Sequence, residues 1–226
     1  EAVYNRMCRQ YDGLPESAIA LGAVGQSRGS KRLTAFSGMG PPNSYMPAGG
    51  AYAVGLAYNA SNALWQGLPS EFATRVQFQE TGGEGQLGGF LWGLSGYFDE
   101  VSAFSAAVGA RTVDVLTNDA GPYANESAAA DNLCRLSIAA GKKPCPFILP
   151  DQSEADASFS TDLTVWTAKT VRAWEVRQWR VGVACGRPDW IAPVIASQQM
   201  QMSNTADKDQ LILEAQMAAA RKVRRA

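Results

Sequence analysis

Apolar positions along the chain recur mostly at helical spacing, and helices are what the pattern predicts. Residues 158–185 give the clearest case. Phe159, Leu163, Trp166 and Thr170 share one stripe, which Trp174, Arg177 and Val181 continue; this is the three-and-four periodicity of a helix with one face against a core. The acidic approach and Arg-rich second half of this stretch suit the helix dipole. Residues 128–141 read as a helix ended by Gly141-Lys-Lys-Pro-Cys-Pro. Residues 206–225 read as a final helix, with Asp207 and Asp209 early and Arg221, Lys222, Arg224 and Arg225 late. Residues 2–24 also read as helical, interrupted at Pro15. The small, apolar stretch 51–64 suits a closely packed helix, and residues 97–116 place Phe98, Val101, Phe104, Val108 and Val115 near helical spacing.

Other stretches depart from this pattern. Residues 75–79 alternate like a short strand. Residues 38–50 are too rich in Gly and Pro for either regular structure, and residues 81–89 are glycine-rich. The predicted fold class is therefore mainly α, an irregular helical protein with long Gly/Pro-rich loops. A faint two-fold duplication accompanies it. Asn5-Arg-Met-Cys8-Arg9 resembles Asp131-Asn-Leu-Cys134-Arg135, Val54-Gly-Leu-Ala-Tyr58 resembles Val181-Gly-Val-Ala-Cys185, and Trp65 and Trp190 follow at a similar distance. The near-constant offset divides the chain into helical halves, 1–118 and 119–226, able to pack as one domain.

Composition narrows the chemistry. The 226 residues include no His, which removes Ser–His–Asp and Cys–His nucleophile pairs, imidazole zinc sites and a His-ligated haem. Proton transfer would fall to Lys, Tyr, Cys or a carboxylate, and no cluster of these stands out, so the expectation is a protein that is not an enzyme. The balance of 20 basic and 21 acidic residues argues against nucleic-acid binding. Low charge, 18% against 46% hydrophobic, suits a subunit that covers part of its surface with protein partners. The longest promising apolar stretch, 87–97, is short and broken by glycines, so no membrane span is expected. The chain starts at Glu1 rather than Met, which is compatible with a removed targeting segment.

Local motifs add little catalytic promise. Gly83-Glu-Gly85-Gln-Leu-Gly88 fits a dinucleotide-binding string, but Glu84 would face the phosphates and no alternation of strands and helices surrounds it. Gly25-Gln-Ser-Arg-Gly29-Ser-Lys31 has the wrong spacing for a P-loop. Asn59-Ala-Ser61 and Asn125-Glu-Ser127 are formal glycosylation sequons. They matter if the chain is secreted, where the four cysteines could form two bridges in any of three pairings. No C-x-x-C pair marks a metal site, and none is expected.

The cysteines have informative neighbours. Cys8 is followed by Arg9 and Asp12, Cys134 by Arg135, and Cys185 by Arg187 and Asp189. A covalently held linear tetrapyrrole needs a thiol to add to it, an arginine for a propionate and a carboxylate for the inner N–H groups. Cys134 and Cys145 stand eleven residues apart, about 16 Å if helical throughout, within reach of one extended pigment tied at both ends.

In these windows the chain resembles the bilin-carrying gamma (linker) chains of red-algal phycoerythrin. It departs from them in lacking globin-like motifs, in lacking an Asp four residues after Cys134, and in carrying Tyr58 at a duplicated cysteine position. The resemblance implies a non-catalytic light-harvesting linker of a phycobilisome, organising phycobiliprotein subunits in the chloroplast at the stromal face of the thylakoid. Bilins would attach at Cys8, Cys134, Cys145 and Cys185, with Arg9, Asp12, Arg135, Arg187 and Asp189 as partners. Tyr11, Trp179 and Trp190 would tune their energy. The alternative is a secreted or lumenal disulfide-bonded glycoprotein, or another scaffold subunit without pigment.

Overall fold

Residues 16–22 form a strand, not the helix that the Ala-rich apolar run predicts, and this strand organises the molecule. The computed structural model describes residues 15–22, 39–48, 50–51, 58–59, 64–65, 74–79, 86–106, 122–150, 162–188, 190–195 and 206–224. In chain order the elements are β1 (Glu16–Gly22), β2 (Ser44–Pro47), β3 (Tyr58–Asn59), β4 (Leu64–Trp65), β5 (Arg75–Gln77), α1 (Gln86–Ser95), β6 (Glu100–Ser105), α2 (Pro122–Ala139), β7 (Lys143–Leu149), α3 (Leu163–Ala184) and α4 (Ala206–Ala220). Five strands make one sheet in the order β5-β2-β6-β1-β7; β3 and β4 pair separately. Strands β2, β6, β1 and β7 are parallel, and β5 closes one edge antiparallel to β2. A parallel bridge between Ile148 and Val194 extends the sheet beyond β7.

The mainly α expectation is thus corrected: helix accounts for 47% and strand for 25% of the interpretable residues, an α/β fold. The physical reason lies in burial. Ala18, Ile19, Ala20 and Leu21 have no exposed surface, so both faces of β1 are covered. Such a strand has no reason to alternate and reads as a continuous apolar run, which a sequence pattern cannot separate from a buried helix. The same ambiguity affected residues 97–116, where β6 is buried at all six positions. The proposed loop at 38–50 contains β2, and the helix expected over 51–64 meets strands at β3 and β4. The strand at 75–79 and the three C-terminal helices do form, with shifted ends.

The halves 1–118 and 119–226 share this sheet, because β7 pairs with all seven residues of β1. Of the second proposed repeat, Cys185 follows α3 whereas its counterpart Tyr58 begins β3, and residues 54–57, the counterparts of Val181–Ala184, lie outside the described residues. The Cys8 fragment lies outside the described residues.

A buried polar knot ties the sheet at the amino ends of its strands. Arg75 crosses the ring of Tyr45 at 4.4 Å and forms a two-pronged ion pair with Glu100. The Ser17 hydroxyl, 2.9 Å away, and that of Ser137, 3.1 Å away, both donate to Glu100 Oε1. This joins β1, β5, β6 and α2 and satisfies a carboxylate that burial would otherwise make costly.

Two helices end alike. Past α2, Gly141 takes φ 73° and the Lys142 N–H donates to Ser137; past α3, Gly186 takes φ 66° and the Arg187 N–H donates to Gly182. These are glycine C-caps in which the left-handed residue lets the chain close over the last carbonyls. At its other end α3 is capped by Asp162, whose side chain accepts from the N–H groups of Thr164 and Val165.

Candidate functional site

In an open parallel sheet, ligands bind outside the carboxyl ends of the strands, where neighbouring connections part. Here β1 continues to β2 on one side, whereas β7 continues to the bridge at Val194 on the other. Their carboxyl ends are neighbours in register, Gly22 beside Leu149, and Gly22 also pairs with Ser105 of β6.

Helix α2 starts at this edge. Its far end is fixed by Ser137, which bonds Ser17 and Glu100 at the amino ends of β1 and β6. Asn125 lies twelve residues nearer the start of α2, about 18 Å at helical rise. Gly22 lies five residues above Ser17, about 16 Å at strand rise. Asn125 is therefore level with the carboxyl ends. Its side chain is buried, and its Nδ2 finds no acceptor among the described residues.

The next residue, Glu126, receives the Arg177 guanidinium from α3: Nε lies 2.9 and 3.1 Å from the two carboxylate oxygens, and Nη2 bonds Oε1. Both side chains are nearly inaccessible. Burial pushes the Glu126 carboxyl up from its ordinary value, and the charge and hydrogen bonds of Arg177 draw it partly back. Trp174 and Trp166 lie on α3 toward the same edge from Arg177, and the buried Nε1 of each has no acceptor among the described residues. The edge thus combines a helix N-terminus, whose first N–H groups have no intrahelical partner, with the buried Asn125 donor, and Trp174, one turn from Arg177, is level with the start of α2. Such a place favours an acceptor-rich or negatively charged group.

The residues singled out in the sequence fall elsewhere. Cys8, Arg9, Tyr11, Asp12 and Asp189 lie outside the described residues, as do Gly83 to Gly85 and Gly25 to Lys31. Cys134 on α2 and Cys185 at the end of α3 are bonded to each other, with Cα atoms 5.2 Å apart. Neither thiol is available for a pigment in this state, and Cys134 is not tied jointly with Cys145. Cys145 lies in β7 opposite Ala18, buried and outside the disulfide. Arg135 bonds Asn132 on its own helix. Arg187 stacks over Trp190 at 5.1 Å and donates to the Pro144 carbonyl at 3.4 Å, fastening the turn after α3 to β7. Trp190 donates to Pro146, whereas Trp179 is 63% exposed. Asn125 is buried, which leaves its sequon no room for a glycan; Asn59 lies on β3.

Sequence reasoning noticed Asn125 only as part of a sequon and Trp174 only as part of a stripe. Their shared edge depends on the strand order, for which no local motif stands.

Comparison with known proteins is limited to fold. A solved protein from Arabidopsis thaliana matches with a TM-score of 0.53 at 12% identity, over 90% of this chain and 81% of that one. No family model and no curated protein matches. Among the described residues there is no cluster of metal-ligating side chains, and no helix is long and apolar enough to cross a membrane.

Proposed function

We propose that this chain is a binding domain for a small anionic or acceptor-rich molecule, a carboxylate or phosphate, held at the carboxyl edge between β1 and β7. The observation that carries the reading is the buried Asn125 amide without an acceptor at the first turn of α2. Buried donors are rarely left unmatched, and a ligand is a standard reason for an exception. The parting of the β1 and β7 connections, and the buried Trp174 indole N–H level with the start of α2, support the same place.

The Cys134–Cys185 disulfide favours an oxidising compartment, in line with the secreted or lumenal alternative. A bilin-bearing linker would have to rely on Cys8 and Cys145, and Cys145 has no exposed surface.

The test is thermal unfolding with inorganic phosphate, acetate and citrate, on the wild type and Asn125→Ala. At least one anion should raise the wild-type Tm, while Asn125→Ala should lose that response yet keep or exceed the ligand-free Tm, since it removes an unsatisfied buried group. Absence of any response in the wild type, or an equal response in the variant, refutes the reading.

A further inference from the structure

We propose, resting on the reading that the start of α2 binds an anion, that the site takes up a proton together with that anion and that Glu126 carries the proton. The two helices place the binding donors and the ion pair side by side. Asn125, the buried amide donor, immediately precedes Glu126 on α2. Trp174, the buried indole donor level with it, stands one turn before Arg177 on α3. An anion held by these donors lies within about 10 Å of the Glu126–Arg177 pair, less than two turns of helix.

Charge then couples the two events. The Glu126 carboxylate and the Arg177 guanidinium that donates to it are both nearly inaccessible. Salt therefore screens them far less than surface charges. An ionised carboxylate in this place repels an incoming anion, and a protonated one does not. Whatever else Arg177 meets, the proton makes the surroundings one unit of charge more positive. By reciprocity, the bound anion raises the proton affinity of Glu126 by the factor with which the proton raises anion affinity. At an effective dielectric of about 20, unit charges 10 Å apart shift each other's equilibria roughly tenfold. Burial already holds the Glu126 carboxyl above its ordinary value despite Arg177, which brings this proton within reach at milder pH.

Among the described residues packed against α2, no other ionisable group stands beside Glu126. Arg177 is the one buried ionisable residue of α3; its Lys169, Arg172 and Glu175 are exposed and Arg180 is half-buried. Strand β4 carries none. Glu16, Glu100, Lys143 and Cys145 stand at the amino ends of β1, β6 and β7. That is the level of Ser137, about 16 Å along α2 from Glu126. Asp131 and Arg135, on α2 itself, are exposed.

The experiment is isothermal titration of the full chain, beside Glu126→Gln, from about pH 8 to about pH 5. The probe is whichever of inorganic phosphate, acetate and citrate raises the Tm. Each anion's own titration is common to both proteins, so the difference between them isolates Glu126. Over that range the wild type should gain roughly tenfold in affinity relative to the variant. Its binding heat should also vary with the ionisation enthalpy of the buffer, reporting a proton taken up beyond any that the anion itself binds. The variant should lack that excess. Equal pH dependence in the two proteins, or no excess proton in the wild type, overturns this inference and leaves the binding reading standing. Lack of response to all three anions at every pH overturns both. Should Glu126→Gln fail to fold, the buffer series on the wild type decides alone.

Discussion

Arg177 grips Glu126 across 51 positions, the same separation that lies between Cys185 and Cys134. An equal offset at two contacts means that α2 and α3 run side by side in the same direction and in constant register. The contacts are eight residues apart along each helix, about 12 Å. One end of the helix pair is closed covalently. The other is closed by an ion pair whose desolvation cost is tolerable only with its geometry held.

The disulfide should therefore stabilise strongly without being needed for the topology. Closing a loop of this length removes chain entropy worth about 4 kcal/mol at most. Replacing Cys134 and Cys185 together by alanine should lower the urea midpoint while leaving the far-UV circular dichroism unchanged. A non-reduced digest should yield the peptide containing Cys134 linked to that containing Cys185; recovery of either peptide bonded to Cys145 would contradict the pairing.

Glu126 should make stability fall as pH rises. Its carboxyl titrates higher folded than unfolded because burial dominates over the attraction of Arg177. The folded state thus holds the proton more tightly, and the contribution is full below the ordinary value of 4.5 and is lost as pH climbs through the raised one. The stability of the wild type relative to Glu126→Gln should fall as pH rises above 4.5, because the variant has no carboxyl to titrate at this position. Denaturant melts at a series of pH values measure this; parallel curves for the two proteins would count against it.

Gly182 and Gly93 should respond to alanine in opposite directions, although both are helical glycines. A Cβ at Gly182 would stand 2.8 Å from the Arg187 carbonyl oxygen and 2.9 Å from that of Trp190. Backbone cannot swing aside as a side chain can, so Gly182→Ala should cost about 1–3 kcal/mol, as overpacking does. Gly93→Ala should gain up to about 1 kcal/mol from helix propensity. Chemical unfolding of the two variants under dilute conditions separates them; a neutral Gly182→Ala would show that the turn after α3 is looser than the packing indicates.

How much of this was legible in the sequence varies with how each element meets solvent. Helix α3 was readable because only one face is buried, so Trp166, Thr170, Trp174, Arg177 and Val181 mark a stripe. Even there, the apolar stripe gave no sign that Arg177 was one half of a buried ion pair. β1 and β6 were illegible for the opposite reason: with both faces covered they carry no period. Alanine, a good helix former, then tilted the reading the wrong way at Ala18 and Ala20. The cysteine neighbourhoods misled because adjacency to Arg and Asp is a local property. The bond between Cys134 and Cys185 is a consequence of two helices in register, and the Asn125 site of a strand order; neither is written in any window of sequence.

The position of β1 also fixes when the molecule can be completed. Its neighbours are β6 and β7, so Ser17 meets Glu100 and Pro144, and nothing nearer in sequence can flank it in the sheet. During synthesis, Ala18 to Leu21 can pair on one side once residue 105 has emerged and on both sides only once residue 149 has. A chain ending before β7 leaves one edge of β1 unpaired, and the supply of residues 143–149, not of the N-terminal strand itself, sets how long that edge stays open to aggregation.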